Sequence, residues 1–110
     1  MHRPYQEAPD STFGHQGRRY QLNKLFKASH KRLNRALAIR KLEWVLEYDT
    51  PDPARIATAD TQIPILVHFD GQRWIVVDGL HRLARARQDG RLLIDTKPIY
   101  EHDLAHALIP

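Results

Sequence analysis

Trp74-Ile75-Val76-Val77-Asp78-Gly79-Leu80-His81-Arg82-Leu83-Ala84-Arg85-Ala86-Arg87 is the stretch on which the reading of this chain turns. Trp74 to Val77 is aromatic and β-branched, as a strand buried on both faces requires. Asp78-Gly79 stops it. From Leu80 to Gln88 no residue breaks a helix, and Gly90 supplies the usual C-terminal stop. A strand that passes through a glycine into a helix aims unpaired N–H groups and the positive end of the helix dipole at one point. That is an anion site by construction, and phosphate suits it. His81 and Arg82 in the first helical turn add cationic or proton-donating side chains.

Upstream, Ile63 to Phe69 is mostly apolar and reads as a central strand. Asp70-Gly71 is turn chemistry of the kind that joins antiparallel strands, so Arg73 to Val77 is its hairpin partner. Downstream, Leu92 to Tyr100 holds a further strand, with Pro98 marking an edge or a strand end. Glu101 to Leu108 reads as a short closing helix that packs through Leu104, Ala105 and Leu108.

The turn Asp78-Gly79-Leu80-His81-Arg82, followed by Ala84 and Ala86, resembles the ParB/sulfiredoxin superfamily. Sulfiredoxins read G-C-H-R there, and ParB nucleotide-binding domains read G-x-R-R before an Ala-rich helix. Ile63-Pro64-Ile65-Leu66-Val67 resembles the strand that precedes the motif. The resemblance covers roughly residues 37 to 100. It implies an α+β fold with a small mixed sheet flanked by helices, as a stand-alone module. Leu80 stands where sulfiredoxins carry cysteine, and leucine cannot attack a phosphoryl group, so sulfiredoxin chemistry is not expected. Pro51 to Arg55 is a faded version of the P-x-x-x-R segment of ParB domains and makes Arg55 a candidate ligand contact.

Towards the N-terminus, residues 1–18 are polar, with Pro4, Pro9, Gly14 and Gly17, and are expected to form a flexible arm; residues 19–110 form the one domain. Tyr20 to Ala36 has leucines at loose helical spacing and the densest basic cluster, including Lys24, Lys27, Lys31, Arg32 and Arg35. That cluster is either a nucleic-acid-facing surface or the solvated side of an amphipathic helix. Ala36 to Ile39 reads as a short strand. Lys41 to Glu47 reads as a helix with Leu42, Val45 and Leu46 inward. Asp52 is a good N-cap for a helix over Pro53 to Ala59. Glu43, Glu47 and Asp49 are the carboxylates that could serve the cation site as base or metal ligand; no dedicated metal ligand set is expected.

The chain has 110 residues, a formal charge of +4, seven histidines and no cysteine. The size suits one modest core. The missing cysteines exclude disulfides, thiolate metal sites and a cysteine nucleophile. The basic balance favours anionic partners. No apolar run is long enough for a membrane span, and a cytoplasmic location is expected.

At the corner, Gly79 permits close approach, or simply a tight turn. Arg82 is expected to fork onto phosphate; its alternative is a salt bridge to Asp78 or Asp95. Asp78 and His81 are the candidate catalytic pair, as base and proton shuttle; Asp78 as a helix cap is the plain alternative. Arg85, three residues after Arg82, shares its face and could extend the site. The expected phosphate-binding set is therefore Gly79, Leu80, His81, Arg82, Arg85 and Arg55. Its expected ligand is a nucleoside triphosphate (ATP or CTP) with Mg2+, with NTPase or phosphotransfer activity as the chemistry such a site could support. The alternative is a nucleic-acid-binding accessory protein of plasmid, phage or other mobile-element type that grips DNA through Lys24, Lys27, Lys31, Arg32 and Arg35.

Overall fold

The computed structural model describes residues 11–110. Two sheets share the core. A hairpin of β1 (Thr12–His15) and β2 (Arg18–Gln21) leads into helix α1 (Leu22–Ser29). Strand β3 (Arg35–Ala38) follows, then two 3-10 turns (Ile39–Lys41 and Glu43–Glu47) and helix α2 (Pro53–Ala57). Next come β4 (Ile65–Phe69), β5 (Trp74–Asp78), helix α3 (Leu80–Gln88), β6 (Leu93–Pro98), helix α4 (Glu101–Ala107) and β7 (Leu108–Ile109). The larger sheet has the order β3-β6-β4-β5, and the smaller one β1-β2-β7. β4 pairs antiparallel with β5 but parallel with β6. A parallel pair needs a crossover, and α3 provides it. The result is the expected α+β arrangement, a mixed sheet with helices on its faces.

β4 lacks polar alternation because both of its faces are covered. Ile65 and Val67 join a core with Leu42, Val45, Leu83, Ala86 and Ile94, under α3 and the 3-10 turns. Leu66 joins a second core with Leu25, Phe26, Val77, Ile99 and Leu104, under α1 and α4. His68 is buried on β4, its Nδ1 2.7 Å from the Ile99 carbonyl. The end of α3 follows the sequence reading closely. Gly90 takes φ +76°, its N–H donates to the Arg87 carbonyl, and the Arg91 N–H donates to the Ala86 carbonyl. These two bonds satisfy carbonyls that a helix end leaves open.

Several expectations needed correction. The arm expected over residues 1–18 is not wholly an arm: Thr12–His15 is a strand paired with β2, and Phe13 packs against the core; residues 1–10 lie outside the described part. The helix expected from Tyr20 to Ala36 is only Leu22–Ser29. Tyr20 belongs to β2, and the chain leaves the helix so that Arg32 can reach α4. There its guanidinium makes two bonds to Asp103, at 2.6 and 2.8 Å, and one to the Pro98 carbonyl. Lys41 to Glu47 forms 3-10 turns instead of an α-helix. Ile39, Leu42 and Val45 are buried at a spacing of three, which matches the three-residue period of that geometry. β7 was not expected at all; its two residues pair with Arg19 and Tyr20.

The Arg32–Asp103 pair ties the end of α1 to α4 with the carboxylate almost fully buried. Burial works to raise the Asp103 pKa, but bonds from Arg32 and the Tyr100 amide outweigh it, and the group lies below its ordinary value. A depressed carboxyl contributes stability that is complete above the unfolded pKa and is lost as pH falls through the folded one. Asp103→Asn should therefore cost about 3 kcal/mol at neutral pH, the lower end for breaking a buried pair. The deficit relative to wild type should shrink in acid. Urea melts of both proteins at pH 7 and pH 3 measure it; an equal deficit at both would contradict this role.

The candidate anion site

Gly79 turns the chain from β5 into α3 with φ +117°, a conformation that side chains rarely adopt. A Cβ there would lie 2.4 Å from Ile65 Cγ2 and 3.1 Å from Arg82 Nη2. The close approach that the sequence reading left open to a ligand is taken by Ile65 itself. The glycine is required by the packing of β4 against the corner. It also has no side chain to cap the first turn of α3. The N–H groups of Leu80, His81 and Arg82 have no intrahelical acceptor by position.

A cleft of about 1010 Å³ opens beside this corner. Its floor follows Ile75 to Gly79, along the edge strand of the larger sheet. α2 places Arg55 and Thr58 on one side, and α3 contributes Leu80, His81 and Arg82. Trp44 and Tyr48 stand opposite, edge to face. Trp44 is fixed twice: its indole N–H donates to the Trp74 carbonyl at 2.8 Å, and the Arg73 guanidinium lies 3.5 Å over its ring. Asp49 and Asp60 complete the rim.

His81 is held in one orientation. Its Nε2 accepts the Asp52 backbone N–H at 3.2 Å, while the Asp52 carboxylate accepts from Ala54 and caps α2. An acceptor Nε2 puts the proton of the neutral ring on Nδ1. Burial lowers the His81 pKa, and the nearby Arg55 charge lowers it further against a smaller opposing pull from Asp52. At neutral pH the ring is therefore a neutral donor through Nδ1.

Arg82 takes the alternative role. Its Nη2 donates to Asp78 at 2.7 Å and its Nη1 to the Pro64 carbonyl at 3.0 Å. The side chain is 15% exposed and that of Asp78 is 27% exposed. The pair closes the corner of β4, β5 and α3, and it also forms part of the cleft wall. Asp78, expected as a base, is committed to this guanidinium. Arg85, expected to extend the site, points to α2 instead. It donates to the Ala57 carbonyl and pairs with Asp89 at 3.1 Å, which fastens α2 to α3. Arg32 is likewise taken by Asp103, whereas Lys24, Lys27, Lys31 and Arg35 are exposed. Of the acidic trio Glu43, Glu47 and Asp49, only Asp49 lines the cleft.

The structure thus brings Arg55, His81, Gly79, Leu80, Asp78 and Arg82 to one wall and leaves Arg85 out. Sequence reasoning missed Thr58, which follows Arg55 at helical spacing, and the Asp52 amide, which only the three-dimensional approach of α2 to α3 reveals. Among the described residues no group of three or more His, Asp or Glu side chains could hold a metal ion, and no helix is long and apolar enough to cross a membrane.

The ring chemistry is testable by NMR. His81 should titrate below the ordinary histidine value as the Nδ1–H tautomer, and the Asp52 amide should shift at the same pH. Arg55→Gln removes a repelling charge and should raise that midpoint. An unchanged midpoint would show that Arg55 does not face the ring.

No protein-family model matches the sequence, and no curated protein matches it. Among solved structures, the chain is similar to sulfiredoxin from Arabidopsis thaliana, with a TM-score of 0.50 and 18% identity over 67% of this chain and 94% of that one. The likeness is one of fold: the α+β arrangement is sulfiredoxin-like.

Proposed function

We propose that the cleft binds a nucleoside di- or triphosphate, with the phosphates at the first turn of α3. The observation that carries this is convergence on one wall. Unpaired N–H groups of a nine-residue helix, the Nδ1–H of His81 and the Arg55 guanidinium all border a space of about 1010 Å³. Oriented amides and a fixed cation are what phosphate needs. Trp44 and Tyr48 give an apolar wall for a base. Mg2+ would come with the nucleotide and neutralise phosphate charge, with Asp49 and Asp60, neither of them in an ion pair among the described residues, bordering the space. The reading is one of binding first. Hydrolysis or phosphotransfer by Asp78 would require its carboxylate to leave Arg82.

Thermal shift with ATP, CTP and ADP, with and without Mg2+, tests the proposal. A bound nucleotide at one hundred times its Kd stabilises by about 2.7 kcal/mol. Arg55→Ala should remove most of the rise, whereas Lys24→Ala should keep it. Arg82→Ala is expected to lower the Tm of the free protein, by about 1–3 kcal/mol of stability, since it strands Asp78. No rise with any nucleotide would end this reading.

A second reading is supported by one surface. Lys24, Lys27 and Lys31 are all exposed, and helical spacing puts the first two on the outer face of α1 with Lys31 just past its end; Arg35 follows on β3. None is in an ion pair among the described residues. Such a stripe suits a nucleic-acid backbone. Duplex DNA should then shift in a gel at low salt and be released steeply as salt rises. Alanine at the three lysines should abolish the shift. No shift of the wild type at low salt rules this reading out.

A further inference from the structure

Behind the Asp78–Arg82 pair lies a second cavity, of about 320 Å³, on the side of the sheet covered by α1. Phe26, Leu66, Ile63 and Pro64 make its walls largely apolar. Its charged groups are Arg82, Asp78 and Lys97. Asp78 is already matched by Arg82 at 2.7 Å. Lys97 has no carboxylate partner among the described residues; its ammonium donates to the His30 carbonyl at 2.7 Å. The lining therefore carries one surplus positive charge in an otherwise apolar recess. Arg82 uses one N–H on each of its terminal nitrogens, which leaves others of its five donors to offer.

We propose that this cavity is a binding site for a small monocarboxylate with an apolar body, such as one aromatic ring or a short hydrocarbon chain. The volume sits at the low end for ligand pockets, which excludes a nucleotide and admits a single ring. The apolar walls take the body. Lys97 and the spare Arg82 donors take the carboxylate, whose charge matches the surplus. A neutral ligand of the same shape would leave the Lys97 charge uncompensated. A cation would add to it. The site shares the Asp78–Arg82 wall with the larger cleft but uses the opposite side of the sheet, so it does not depend on the nucleotide reading.

Benzoate and its neutral isostere benzamide are the probes, titrated into the full chain without nucleotide and followed by amide NMR shifts. Benzoate should move the resonances of Phe26, Ile63, Leu66 and Lys97, and it should bind at least tenfold tighter than benzamide. Lys97→Met should weaken benzoate at least fivefold while leaving benzamide unchanged, and Lys97→Arg should retain benzoate. Should Lys97→Met fail to fold, the benzoate–benzamide ratio and Lys97→Arg still decide. Benzamide binding as well as benzoate, shifts confined to Arg55, Thr58 and His81 in the cleft, or no shifts at millimolar benzoate would each overturn the proposal.

Discussion

The contact of Ile65 with the α-carbon of Gly79 sets the position of everything at the site. No side chain fits between them, because a Cβ would stand 2.4 Å from the isoleucine methyl. β4 and the β5–α3 corner are thus held at backbone distance. Arg82 then binds the corner from the side, with Asp78 on β5 and the Pro64 carbonyl just before β4. These constraints fix the direction in which α3 leaves the sheet. The direction of α3 in turn decides where its unpaired amides point and where α2 can dock, through Arg85 to the end of α2 and His81 to its start.

Charge at the corner is divided between structure and site. Five arginines were candidates for anion contact or for nucleic acid in the sequence, and three of them, Arg32, Arg82 and Arg85, are engaged by carboxylates, while Arg35 is exposed on β3. A guanidinium with a carboxylate four residues away at either end of α3, or on a helix packed against it, gains hydrogen bonds that a solvated one lacks. Arg55 has no such partner and lines the open space. The cation that looked weakest in the sequence is the one left facing the cleft, and Arg82, which looked strongest, is there chiefly as masonry.

What the sequence made legible was local. The Asp52 cap, the Asp70-Gly71 hairpin, the limits of α3 and its Gly90 stop each depend on residues within one turn of one another, and each is present. β4 was legible because burial on two faces leaves an unbroken apolar run. Two of the errors involve partners far along the chain. The expected helix over Tyr20 to Ala36 is cut short for the sake of Asp103, some seventy residues on. β1 and β7 form a sheet from the two ends of the described chain, which no window of sequence contains. The 3-10 turns carried a period of three in Ile39, Leu42 and Val45 that a helical template absorbed without notice.

The likeness to sulfiredoxin at 18% identity is one of fold, and the residues of this chain decide what its corner can do. A helix N-terminus at the end of β5 follows from the crossover and from Gly79. Leu80, the first residue of α3, lies at the cleft and packs partly into the core, and the whole chain contains no cysteine. A leucine there makes this part of the cleft wall apolar. Its side chain offers no nucleophilic atom. At the corner itself the carboxylate of Asp78 and the imidazole of His81 are both employed in holding β5, α2 and α3 together, so their first role is to build the cleft wall.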